Sequence, residues 1–212
     1  MNVFIVTAHP EVKSFNYALR NCALELLEGT GINVRVSDLY QMPFSPVAGT
    51  TDFISYTPEQ PLQLMKAQLA NATYGGYKSD ISEEQAKLVW ADLVLFQFPI
   101  WWGTYPAILK GWIERVLTYG FAYGNQKELP SKSTMFIVTT GGVRDEKEEK
   151  SYKERIDKMA KDVFGFMGWE IHMPFIVNGP TYLSEEDRLL TLNKYNNYLR
   201  NIIEKCTANN LV

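Results

Sequence analysis

The chain has 212 residues, 46% of them apolar and 21% charged, the balance of a folded globular protein rather than a disordered one. With 21 basic against 24 acidic residues the formal net charge is −3, which excludes the basic footprint of a nucleic-acid or anionic-membrane binder. Two distant cysteines, Cys22 and Cys206, and two histidines, His9 and His172, exclude a disulfide framework and a histidine-rich metal site.

Residues 3–6, Val-Phe-Ile-Val, form a short apolar run without alternation, as expected of a strand buried on both faces. The segment before and within this run has no basic stretch and no small-residue cleavage site, so a mature cytoplasmic N-terminus is expected. Leu19, Cys22, Ala23, Leu26 and Leu27 then repeat at helical spacing, and Gly29 and Gly31 close the helix. Residues 34–39 give a second strand and 93–98 a third. The apolar stretch around 93–102 is interrupted by Gln97 and Pro99 and is too short to cross a bilayer. Pro106 opens a helix carrying Ile108, Trp112, Ile113 and Val116. Residues 135–139 form the fourth strand, and Ile156, Met159, Ala160, Val163, Phe164 and Met167 mark another helix face that ends at Gly168. The fifth strand is expected over 171–177, with Pro174 favouring a sheet edge. A last helix follows Ser184, from Glu185 to about Lys205.

Five strands alternating with helices predict a doubly wound α/β fold, a parallel sheet with helices on both faces, as one domain over 1–212. Residues 43–79 stand apart. They are rich in Pro, Thr, Gly and Tyr, weakly periodic, and long for a structureless connection, so they read as an insertion with a functional purpose.

In such a sheet, ligands bind beyond the carboxyl ends of the strands. Three segments are therefore driven together: 7–16, 99–105 and 139–142. The first runs into a helix N-terminus, an anion site by virtue of its free N–H groups and dipole, with His9, Ser14 and Asn16 adding polar contacts. It lacks both the dinucleotide and the P-loop glycine patterns. The second, Pro99-Ile100-Trp101-Trp102-Gly103, offers adjacent indoles, one of which can stack on a ligand while the other packs inward. The third, Thr139-Thr140-Gly141-Gly142, lets backbone approach a ligand closely. An anion site, an aromatic wall and a glycine edge suit a phosphate-bearing planar cofactor, and a flavin is the economical choice.

The residues also resemble a known family, the NAD(P)H:quinone oxidoreductases of the DT-diaphorase type. The resemblance rests on His9-Pro10-Glu11, Ser14 to Ala18, Ser37-Asp38-Leu39-Tyr40, Phe96 to Trp102, Pro106 to Trp112, Glu114-Arg115-Val116, Phe121-Ala122-Tyr123 and Thr139 to Gly142. It resumes near Thr181 to Arg188. It implies a flavodoxin-like five-stranded parallel sheet of order 2-1-3-4-5. It implies, too, that His9, Ser14, Phe15, Asn16 and Ala18 hold the flavin phosphate and ribityl region, and that Pro99, Ile100, Trp101 and Trp102 line the ring. Thr139, Thr140, Gly141 and Gly142 would follow its other edge. Gln63 (with Gln60 as an alternative) and Arg188 fall where family members contact an adenosine, which favours FAD over FMN. Glu114 falls at a flavin-proximal position and is equally spaced to pair with Lys110 one turn earlier.

The implied activity is a ping-pong relay: NAD(P)H gives a hydride to the flavin and leaves, and a quinone takes its place and receives the two electrons. Backbone N–H groups at Gly141 and Gly142 are the expected stabilisers of negative charge on the ring. Trp102 and Tyr123 would contact the substrate, with the pocket closed at a homodimer interface. One departure matters. Mammalian members carry a Tyr and a His shortly after the Gly-Gly pair, whereas this chain runs Val143-Arg144-Asp145-Glu146 through to Tyr152. The proton would then come from water, Arg144 or, with the loop folded back, Tyr152. The chain is also shorter at its C-terminal end than the mammalian members, whose terminal subdomain is expected to be absent. The rival readings are an FMN-dependent azo- or nitroreductase on the same fold and a flavodoxin-type electron carrier.

Overall fold

A computed structural model describes residues 1–56, 61–124 and 127–209. Its centre is a parallel sheet of β1 (Asn2–Thr7), β2 (Asn33–Asp38), β3 (Leu93–Pro99) and β4 (Ser133–Thr140) in the order β2-β1-β3-β4. The fifth position is filled in two pieces, β5 (Glu170–Ile171) and β6 (Phe175–Asn178), each parallel to β4. This is the flavodoxin-like sheet of order 2-1-3-4-5, with the continuous 171–177 strand corrected to a broken one. Pro174 explains the break, since it has no N–H for the ladder. From the pair Thr134–Ile171 to the pair Ile137–Phe175 the edge chain advances four residues against three on β4, the signature of a bulge.

Side chains alternate between the faces of each strand. Val3, Ile5, Leu93, Leu95, Met135 and Ile137 point to one face. There α1 (Phe15–Gly29) and α6 (Glu185–Asn209) cover them with Leu19, Ala23, Leu27, Tyr195 and Leu199. Phe4, Val6, Val94, Phe96, Phe98, Phe136 and Val138 point to the other. They meet Leu88 of α3 (Ser79–Trp90), Leu109 and Trp112 of α4 (Ala107–Val116), and Ile156 and Ala160 of α5 (Glu146–Ala160). A π-helical turn, Lys161–Gly165, continues α5 and buries Phe164. Ser14 and Ser184 cap α1 and α6: the Tyr17 N–H donates to Ser14 Oγ at 3.4 Å and the Asp187 N–H to Ser184 Oγ at 3.1 Å.

The 43–79 segment is, in its described parts, more ordered than its composition suggests. It holds a 3-10 turn (Thr50–Asp52) and α2 (Leu64–Tyr74) before α3 begins. Arg115 of α4, 3% exposed, fastens it. Its Nε donates to Asp52 Oδ1 at 2.8 Å, and its Nη1 donates to Ser45 O at 2.6 Å and to Asp80 Oδ2 at 2.7 Å. The chain crosses α4 so closely at Gly111 that a Cβ there would lie 2.0 Å from Pro46 O. Beside it Glu84, fully buried, accepts from Ser37 Oγ (2.7 Å), Lys87 Nζ (2.5 Å) and Trp112 Nε1 (2.7 Å). β2, α3 and α4 are thereby tied at one carboxylate.

Candidate functional site

Beyond the carboxyl ends of β1, β3 and β4 lies a cleft of about 410 Å³. Its floor is built by α1. Among the described residues, the first-turn N–H groups of Phe15 and Asn16 have no acceptor, as helix geometry requires. Asn16 is 2% exposed and clamps the helix start to two strands. Its carbonyl accepts from Gln97 Nε2 at 2.6 Å, and its Nδ2 donates to Thr139 Oγ1 at 2.6 Å. Asn16 Oδ1, Gln97 Oε1 and Thr7 Oγ1 remain buried without a partner, three of six such atoms among the described residues. Unmatched buried acceptors are costly and call for an explanation.

His9, Lys13, Ser14 and Arg188 ring this floor. Neither Lys13 nor Arg188 has a carboxylate partner among the described residues. Burial holds the His9 pKa below its ordinary value. Of the two Glu11 groups on His9 Nδ1, the N–H donor at 3.0 Å is closer than the carbonyl oxygen at 3.2 Å. Nδ1 is thereby engaged by the Glu11 backbone, which leaves Nε2 as the ring nitrogen available to a ligand. Two cations without carboxylate partners, free helix N–H groups and an imidazole together suit a phosphate.

One wall is Pro99, Ile100 and Trp101, and Thr139, Thr140 and Gly141 form another. Trp101 is held by a tight turn in which its N–H and carbonyl pair with those of Thr104, both at 3.1 Å. The two central residues, Trp102 (φ 50°) and Gly103 (φ 78°), are both left-handed, the geometry of a type I′ turn. Glycine adopts it freely, but an L-residue such as Trp102 does so at a cost of about 1–2 kcal/mol. The indole of Trp102 is fully exposed, while Trp101 is 39% exposed and its ring lies 6.2 Å from that of His9. Gly141 N–H has no acceptor among the described residues, and no atom lies within 4 Å of where a Cβ would sit. Gly142, at φ 117°, donates to Thr140 Oγ1 at 3.3 Å.

Eleven of the sixteen residues assigned to a cofactor in the sequence line this cleft: His9, Ser14, Phe15, Asn16, Pro99, Ile100, Trp101, Thr139, Thr140, Gly141 and Arg188. The other five lie outside its lining. Ala18 donates its N–H to Ser14 O at 3.1 Å within the helix. Trp102 projects into solvent, and Gly142 lies against Tyr182 and Gly179. Gln63 is exposed at the start of α2, and Glu114 pairs with Lys110 on the surface of α4. Gln60 lies outside the described residues. Tyr123 is half-buried and packs edge-on against Tyr119 and Phe166. Tyr152 lines a neighbouring hollow. Three lining residues were not assigned from the sequence: Lys13, Pro180 and Thr181. The last two follow β6, and the rule that placed the other three loops here extends to that strand end as well.

The family model described as "Flavodoxin-like fold" matches residues 1–201. The ribosyldihydronicotinamide dehydrogenase (quinone) of Mus musculus is 37% identical over 214 residues, spanning 94% of this chain and 91% of its own length. Among solved structures, a Klebsiella pneumoniae protein provisionally assigned as a quinone reductase superposes with a TM-score of 0.85 at 30% identity, over 95% of this chain and 85% of that one. The NAD(P)H:quinone oxidoreductase of Methanothermobacter marburgensis gives 0.73 at 26%, over 95% and 96%. No helix among the described residues is long and apolar enough to cross a membrane, and no group of three or more His, Cys, Asp or Glu side chains there could hold a metal ion.

Proposed function

The chain belongs to the flavodoxin-like NAD(P)H:quinone oxidoreductase family, and from that premise we propose that it is a flavin-dependent enzyme passing two electrons from a reduced nicotinamide to a quinone. One observation carries the reading: unpaired anion-binding groups and a flat aromatic wall meet in a single cleft at the strand ends. The flavin, when bound, supplies a site that accepts and gives back a hydride.

On this reading the chain's own residues have separate tasks. The Phe15 and Asn16 N–H groups, Ser14, Lys13 and His9 Nε2 hold the phosphate. Pro99, Ile100 and Trp101 flank the ring, and the orphaned buried acceptor of Asn16 awaits a donor. The Gly141 N–H is better suited than that of Gly142 to face developing negative charge, because the latter is engaged by Thr140. Arg188, together with Gln63, supports FAD over FMN. Tyr152 is the side-chain candidate for the proton, and water the alternative. The full exposure of Trp102, with Phe166 at 72% beside Tyr123, supports closure of the substrate slot by a second copy of the chain.

The test is an anaerobic titration. The protein is reconstituted with FAD, one equivalent of NADPH is added, then a simple benzoquinone. Bleaching of the visible flavin band and its return with quinone is the expected result, and the mass of the released cofactor distinguishes FAD from FMN. A protein that binds neither flavin overturns the reading. Sedimentation checks the dimer, and Tyr152→Phe, followed by stopped flow, is expected to slow only the return of the band.

A further inference from the structure

Helix α5 carries six basic residues within or just past its span. Lys150, Lys153, Lys158 and Lys161 each pair with a carboxylate one turn away: Glu154, Glu149, Asp162 and Asp157. Lys147 and Arg155 have no carboxylate partner among the described residues, and both line a hollow of about 420 Å³. The acidic groups of that hollow are already committed. Asp145 Oδ1 accepts the Glu148 N–H at 2.8 Å and caps the helix. Glu148 accepts from the Arg144 backbone N–H at 2.7 Å and from its guanidinium at 3.2 and 3.3 Å. With three basic and two acidic side chains the hollow is net positive, and Lys147 and Arg155 are its cations without a carboxylate partner among the described residues.

The hollow adjoins the cleft. Arg155 Nη1 would lie 2.6 Å from a Cβ on Gly103, so the guanidinium rests against the same turn that presents Trp101 to the cleft. Its other face lies over the Tyr152 ring, 5.7 Å from the centroid, which limits its freedom. A ligand with a flat end in the cleft and an anionic arm would meet these cations by crossing one turn.

We propose that Arg155 and Lys147 recognise the phosphates of the electron donor, making this chain selective for a phosphate-bearing dihydronicotinamide over one without phosphate. The proposal rests on the cleft being a flavin site. The recognised group is a diphosphate or a 2′-phosphate, which present the same chemistry to a guanidinium.

The experiment compares NADPH, NADH and the phosphate-free dihydronicotinamide riboside as donors for the wild type, Lys147→Glu and Arg155→Leu. Lys147 is exposed and makes no ion pair or side-chain hydrogen bond among the described residues, so its reversal leaves the fold intact even if Arg155→Leu does not. Each variant is expected to raise KM for the phosphate-bearing donors by about tenfold, the size of one charge-assisted contact. KM for the riboside and kcat for all donors stay unchanged. A rise confined to NADPH assigns the site to the 2′-phosphate, and a rise with both dinucleotides assigns it to the diphosphate. Calorimetry with inorganic diphosphate and oxidised NADP gives a readout without turnover: both bind the wild type and weaken in Lys147→Glu. Equal KM changes for all donors, or diphosphate binding untouched by Lys147→Glu, overturn the proposal. A wild type that no donor reduces overturns the flavin reading instead, and the calorimetry still decides this one.

Discussion

The charges beneath α3 and α4 and the charges around the cleft are comparable in number but opposite in bookkeeping. Glu84 and Arg115 are buried and fully matched, each by three partners drawn from different elements. Around the cleft, Lys13 and Arg188 have no carboxylate among the described residues, and Asn16 Oδ1 accepts nothing. A charge satisfied within the chain fixes architecture, since removing one partner strands the rest. A polar group left unsatisfied at the mouth of a cleft is available to a ligand. The same rule separates Lys147 and Arg155 from the four paired lysines of α5.

The strongest way to break this contrast is Glu84→Ala, which leaves Lys87 and the Trp112 Nε1–H facing an emptied interior. It is expected to cost about 3–5 kcal/mol in a urea denaturation curve. Gly111→Ala should cost about 1–3 kcal/mol, because Pro46 must move from its seat on α4, and proteolysis should then cut first within 43–79. Arg188→Ala should behave oppositely. Stability changes by no more than about 0.5 kcal/mol, while flavin affinity measured by fluorescence quenching falls about tenfold. The smallest effect concerns pH. Burial lowers the His172 pKa below 6.5, so on acidification the unfolded chain takes up a proton that the folded chain resists. Stability present above pH 6.5 is lost as pH falls through that window. His172→Gln should lose less between pH 7 and pH 5, with His9 retaining its own share of the same sign.

Much of this was legible in the residues because β1, β3 and β4 are buried on both faces and read as plain apolar runs. The three cleft loops followed from the rule that ligands sit beyond the carboxyl ends of parallel strands, and the strand order came from the family resemblance. α3 was not legible for a physical reason. Its buried face is Ile81, Glu84 and Leu88, and a carboxylate in the central position erases the apolar period that would reveal a helix. α2 buries only Gln68 and so has no apolar stripe to find. In the cleft, Lys13 lay inside the first loop yet carried no signal, because an unpaired lysine is recognised only once its neighbours are known. Glu114 shows the converse: the i,i+4 spacing to Lys110 already contained its partner.

The break at Pro174 has a consequence for solubility. An exposed sheet margin is a template on which another chain can lay a strand, and proteins blunt such margins with proline, bulges and short segments. Here all three coincide: β5 has two residues, β6 has four, and the chain slips by one between them. No straight strand can match both registers at once. Fibre-like growth along that side of the sheet is thereby blocked.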